Sequence, residues 1–140
     1  IFLASLMRAF VERLALGKVL AAPLEVKLWP GGPSREPDVL FVARGGQAQV
    51  DDKRVRGAPD LVIEVVSPGS VTLDRITKFR EYEQAGVREY WIVDYRARTV
   101  DVLVLDGGEY VQRGQYREGD LAPSEALPGF AIPVADIFAR

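Results

Sequence analysis

The stretch APDLVIEVVSPGS, Ala58 to Ser70, holds an apolar run of Leu61, Val62, Ile63, Val65 and Val66 that is broken once, by Glu64. A continuous β-branched run bounded by Pro59 on one side and Ser67-Pro68-Gly69 on the other predicts a strand over Asp60 to Val66, covered on both faces. Charged side chains are almost never fully buried unless they are paired or bind a metal. Glu64 therefore needs partners, and the rest of the chain is read for them.

Composition narrows the chemistry. The 140 residues are 48% hydrophobic and 27% charged, ordinary values for a globular protein. They read as one domain over residues 1–140 with enough chain for a proper core. The chain opens at Ile1, mid-pattern, rather than at Met, so its native N-terminus is expected to be incomplete. There is no cysteine, which excludes disulfides, thiolate zinc sites and thiol nucleophiles. There is no histidine either, which removes imidazole bases and Ser-His-Asp chemistry. Any catalysis must run on carboxylates, lysine, hydroxyls and hard metal ions. A net charge of -2 and a pI near 5.2 do not advertise a nucleic-acid binder, although a local basic groove is compatible with both. No apolar stretch approaches the roughly 20 residues of a membrane span, and no signal-peptide pattern is visible. A cytoplasmic protein without a membrane partner is the expectation.

Upstream of the central run, Phe2, Leu3, Leu6, Met7, Phe10 and Leu14 recur at helical spacing, and Gly17 stands where a helix would stop. Glu12 and Arg13 fall near the polar side of that helix. Leu24 to Trp29 alternates as a strand, Pro30 to Pro37 is a turn-rich loop, and Asp38 to Ala43 (DVLFVA) is a second strand. Gly45 to Gly57 is polar and reads as a mobile surface segment, with Lys53, Arg54 and Arg56 making it the most basic patch. Downstream, Ser70 or Thr72 can cap a helix that runs to about Ala85 and ends at Gly86. Glu89 to Asp94 and Thr99 to Leu105 are strands, and Asp106-Gly107-Gly108 is a hairpin signal with Val111 to Arg117 returning. The proline-bearing tail from Leu121 ends in Ile137-Phe138, expected to dock on the body. This order predicts a mixed α/β domain with helices flanking a central sheet.

Three residues are candidates to meet Glu64. Asp60 shares its strand face, but four residues of strand span about 13 Å at ~3.3 Å per residue, too far for one ion unless the strand bends. Asp60 is better suited to backbone donors at the start of the strand. Asp38 opens its own strand, and antiparallel pairing of the two strands could set it beside Glu64. Like charges held close disfavour ionisation, and a divalent cation relieves this. Oxygen-only ligands suit Mg²⁺, Mn²⁺ or Ca²⁺. An unpaired carboxylate crowded in this way would relieve strain when deleted. Lys78 lies about 9 Å into the following helix at ~1.5 Å per residue. Glu64 lies about 7 Å before its strand's end at ~3.3 Å per residue, so the two sit at similar depth. The alternative is a surface pair of Lys78 with Asp74 at i, i+4, which spacing alone slightly favours.

The stretches EPDVLFVA (36–43), GAPDLVIEVVSPGS (57–70), EYEQAGVREYWIVD (81–94) after Lys78, and LPGFAIPVADIF (127–138) resemble the Uma-type family. That family comprises prokaryotic proteins described as putative restriction endonucleases, formerly a domain of unknown function, within the PD-(D/E)XK nuclease superfamily. The resemblance covers nearly the whole chain in the family's order. It implies a restriction-endonuclease-like core, a mixed sheet flanked by helices, and Mg²⁺-dependent hydrolysis of DNA phosphodiester bonds with Mn²⁺ as a substitute. It further implies that Asp38 and Glu64 hold the metal. The superfamily's lysine normally falls two residues after the acid, where this chain has Val66, so its counterpart here would be Lys78. Glu12 is a candidate for the glutamate that the superfamily often adds from its first helix. Tyr82, one turn beyond Lys78, could line the same cleft or serve in packing.

On this reading Asp38, Glu64 and Lys78 are the catalytic candidates, with Asp60, Glu12 and Tyr82 behind them. A metal-dependent endonuclease acting on DNA, as a homodimer if it cuts both strands, is the first functional class. A binding module for DNA or protein that keeps the fold without activity is the second. A metal-dependent hydrolase of another substrate is the third.

Overall fold

The central run forms a six-residue strand, Leu61–Val66, in which Leu61, Val62 and Ile63 are completely buried. The structure, a computed structural model, describes residues 2–66 and 72–139. The Ser67-Pro68-Gly69 turn and the Ser70 cap expected from the sequence lie outside the described residues. In chain order the elements are α1 (Phe2–Leu14), β1 (Gly17–Ala21), β2 (Glu25–Lys27), β3 (Ser34–Arg35), β4 (Val39–Ala43), β5 (Gln49–Val50) and β6 (Arg54–Arg56). There follow β7 (Leu61–Val66), α2 (Thr72–Ala85), β8 (Glu89–Asp94), β9 (Thr99–Asp106), β10 (Glu109–Arg117), β11 (Leu121–Pro123), β12 (Ala131–Pro133) and α3 (Val134–Phe138).

Six strands make the central sheet, in the order β1-β4-β7-β8-β9-β10. Within this sheet, among the described residues, only β7 and β8 pair in parallel, and α2 is the crossover that parallel neighbours require. The expected architecture, a mixed sheet flanked by helices, is the one observed. Alternate residues of each strand face opposite layers. On one face Val39, Phe41, Leu61, Ile63, Trp91 and Val102 pack with Leu3, Met7 and Val11 of α1 and with the C-terminal segment. On the other, Leu40, Val42, Val62, Tyr90 and Leu103 pack with Tyr82 of α2 and with Val26, Leu28 and Val55. Glu64 shares strand parity with Val62 and so belongs to this second face.

The second face is partly covered by a small sheet, β3-β2-β6-β5, whose β2 and β6 pair in parallel. Here the structure corrects the expectation of a mobile segment over Gly45 to Gly57. Val55 is fully buried, and Asp51 accepts the amides of Lys53 at 2.8 Å and Arg54 at 3.0 Å, closing the turn between β5 and β6. Gly17, which reads as a helix stop, also opens strand β1. Gly17 instead lets β1 lie close against β4: a Cβ there would stand 2.1 Å from the Val42 carbonyl oxygen. Leu14, whose spacing predicts the apolar face of α1, is 49% exposed. The tail holds more structure than read, a β11–β12 ladder followed by α3. Ile137 and Phe138 do dock, and both are buried. Among the described residues no helix is long and apolar enough to cross a membrane.

Candidate active site

Asp38 immediately precedes β4. The β4–β7 register, Val39 opposite Ile63 and Leu40 opposite Val62, extends by one step to place Asp38 opposite Glu64 on the same face. The placement is held by a hydrogen bond, because the Val65 amide donates to Asp38 Oδ2 at 2.7 Å. Glu64 is 7% exposed. Its Oε2 accepts the Tyr82 hydroxyl at 2.6 Å, and its Oε1 lies 3.9 Å from Lys78 Nζ. Glu64 is therefore not unpaired, which corrects the expectation that deleting it would relieve strain. Deletion would leave the buried Tyr82 hydroxyl without its partner.

Lys78 reaches both alternatives at once. Its ammonium is 3.5 Å from Asp74 Oδ2 while standing 3.9 Å from Glu64. Asp74, Lys78, Glu81 and Tyr82 follow i, i+4, i+7, i+8 spacing and so share one face of α2. Arg35 of β3 joins them from the small sheet, with Nε 2.6 Å from Glu81 Oε1 and a terminal nitrogen 3.9 Å from Asp74 Oδ1. Sequence reasoning missed Arg35. It lies in what reads as a turn-rich loop, and its two-residue strand is made by pairing with β2. The spacing of Glu81 from Asp74 and Lys78 could have flagged a shared face.

Burial pushes the Glu64 carboxyl above the ordinary glutamate value. The Tyr82 hydrogen bond and the Lys78 charge pull it back down, whereas the Asp38 charge pushes it further up. Tyr82 is held far above the usual tyrosine range, by burial first and then by the Glu64 carboxylate, so it remains a neutral donor.

The other candidates lie elsewhere. Asp60 sits at the opposite end of β7, where its Oδ2 accepts the Ala43 amide at 2.7 Å and its Oδ1 is 3.8 Å from Arg88. Gly46 leaves room for it, since a Cβ there would stand 2.8 Å from Oδ2. Glu12 is exposed on α1, the helix that packs against the opposite face, and is not brought to Glu64. Val66 ends β7 half-buried. A further carboxylate that the reading did not single out, Glu89, is fully buried on the α1 side of the sheet. It accepts the Trp91 indole N–H at 2.6 Å and the amides of Glu125 at 2.8 Å and Ala126 at 2.7 Å. Those bonds tether the C-terminal segment and account for its burial.

The donor set fits a hard cation. Among the described residues no group of three or more carboxylates converges. Mg²⁺, however, commonly takes one or two carboxylates and completes its shell with water and substrate phosphate. Asp38 and Glu64 each have one oxygen engaged by a protein donor. Among the described residues the other oxygen of each accepts no hydrogen bond.

No curated protein matches the chain. Among solved structures it is similar to a protein from Anabaena variabilis ATCC 29413, a "putative nuclease belonging to DUF820". The TM-score is 0.73 at 17% identity, with 96% of this chain and 75% of that one covered. At that identity the likeness is one of fold. The model of the Uma2 family, described as "Putative restriction endonuclease", matches residues 1–135. A match over nearly the full length, including β4, β7, α2 and the strands around them, places this chain in the Uma2 family.

Proposed function

We propose that the chain is a metal-dependent endonuclease that hydrolyses DNA phosphodiester bonds at Asp38, Glu64 and Lys78. The observation that carries this reading is the position of Lys78 Nζ, 3.9 Å from a carboxylate that stands opposite Asp38 in the strand register. Asp38 and Glu64 would hold Mg²⁺, with Mn²⁺ as a substitute. When bound, such an ion supplies Lewis-acid stabilisation and lowers the pKa of coordinated water.

The protein's own groups prepare the site. Tyr82 fixes one Glu64 oxygen and leaves the other directed to Lys78. The Val65 amide fixes one oxygen of Asp38. Lys78, half-buried between Glu64 and Asp74, presents a cation to a scissile phosphate, or orients or helps deprotonate the attacking water. Arg35, tied to Glu81 and near Asp74, braces the helix that carries Lys78. Cutting both strands of a duplex calls for two such sites, which a homodimer would supply.

The test is incubation of supercoiled and linear DNA with the protein in Mg²⁺, in Mn²⁺ and in EDTA. Nicked or linear product that requires the ion and is lost in Glu64→Gln is expected. Intact DNA in every buffer would contradict the proposal.

A further inference from the structure

The small sheet has an outer face that the site does not use. Its inner face is apolar, with Val26 and Val55 fully buried. On the outer face the register aligns Ser34, Lys27, Arg56 and Gln49 in one row across all four strands. Trp29, two residues beyond Lys27, is half-buried beside this row, its indole resting partly on the apolar layer and against Gly32, while Leu28 between them points inward. Together Lys27, Trp29, Pro30, Gln47, Gln49 and Arg56 line a cavity of about 270 Å³. That is just under the ≈ 300 Å³ at which drug-sized ligand pockets begin, and it suits a single flat ring system.

Three polar groups around the cavity are available. Among the described residues the Lys27 ammonium forms no ion pair, and the Gln47 and Gln49 side chains make no hydrogen bonds. Arg54 pairs with Glu25 and Arg56 with Asp51, so these strands and their turn set the three cations Lys27, Arg54 and Arg56 against two paired carboxylates, with Lys27 acting on Glu25 only from beyond ion-pair distance. On a chain of net charge -2 this is a local positive excess beside an aromatic ring. An aromatic face, a phosphate-ready cation and two amides that can donate and accept toward a base edge are what unstacked nucleotides are bound by. A paired base hides its faces in the duplex stack, so a one-ring cavity can be entered only from an unpaired strand.

We infer that the outer face of the small sheet binds single-stranded nucleic acid, with one base stacked on Trp29 and the adjoining phosphate at Lys27. The inference takes from the proposed function only that nucleic acid is the substrate class. It adds a second, metal-independent contact remote from Glu64 in the strand pattern.

Tryptophan fluorescence tests it directly. The chain has two tryptophans, and Trp91 is completely buried against Glu89. Titration with single-stranded oligothymidylate in EDTA should quench the emission saturably, whereas the same length of duplex should not. Affinity, read from the anisotropy of a fluorescein-labelled oligothymidylate because the substitution removes the reporting tryptophan, should fall about tenfold or more in Trp29→Leu, the scale of losing one stacked base. Lys27→Glu, on the solvent side and harmless to the core, should weaken binding and reduce the salt dependence by about one phosphate contact. Trp29→Tyr should retain binding. Absence of quenching in the parent, or parent-like affinity in Trp29→Leu, overturns the inference. Metal-dependent cleavage measured on the same preparations separates the two claims: cleavage without quenching overturns only the base site, and quenching without cleavage overturns only the nuclease reading.

Discussion

The Tyr82 hydroxyl donates to Glu64 Oε2 at 2.6 Å, joining the crossover helix to the central strand inside the second core. The bond settles which Glu64 oxygen is left for other chemistry, and it ties the orientation of Lys78, four residues back on α2, to the strand. Tyr82→Phe should therefore cost about 1.5–3 kcal/mol in urea unfolding, the range for a hydrogen bond to a charged group. It should also raise the Glu64 pKa further, because the bond favours the ionised form. Unchanged stability would mean that the bond does not hold helix to strand.

The pH dependence has a definite sign. The folded-state pKa of Glu64 is raised above the ordinary value of 4.5, chiefly by burial. A raised value means that the folded state binds the proton more tightly than the unfolded one. The corresponding stability is fully present below pH 4.5 and is lost as pH rises through the folded value. In EDTA the melting temperature of the parent should thus fall relative to Glu64→Gln as pH increases from 4 towards 8. A parallel pair of curves would show that burial does not control this carboxyl.

Lys78 divides rate from binding. An ammonium that acts on the water or the phosphate contributes in the transition state more than to the bound ion. Lys78→Ala should lower any DNA cleavage rate by at least ~100-fold, the scale for losing a positioned acid–base group, with metal affinity little changed. Lys78→Arg should not restore the rate if the role is that of a base, since guanidinium stays protonated. Normal cleavage by Lys78→Ala would assign the lysine to Asp74 alone.

What could be read from the sequence follows the strength of local pattern. The run from Leu61 to Val66 is long, β-branched and turn-bounded, so both its strand and its burial are legible. An antiparallel neighbour opening at Asp38 then brings that carboxylate opposite Glu64, and the depth match brings Lys78 to the same level. The small sheet was not legible, because strands of two or three residues owe their existence to distant pairing, β2 with β6 above all, rather than to propensity. Arg35 stayed hidden with it. Glu89 resembled any polar residue at the start of a strand, and only the tertiary structure supplies the three donors that hold it.

The most direct measurement is Mn²⁺ titration calorimetry on the parent, Glu64→Gln and Asp60→Asn. Glutamine can still accept the Tyr82 hydrogen bond, so the fold is kept while the ligand charge is removed. Asp60 is engaged by Ala43 at the far end of β7. The account predicts saturable binding to the parent, binding within a few-fold of it for Asp60→Asn, and none for Glu64→Gln. Equal binding by the parent and Glu64→Gln, or no binding by the parent, would contradict it.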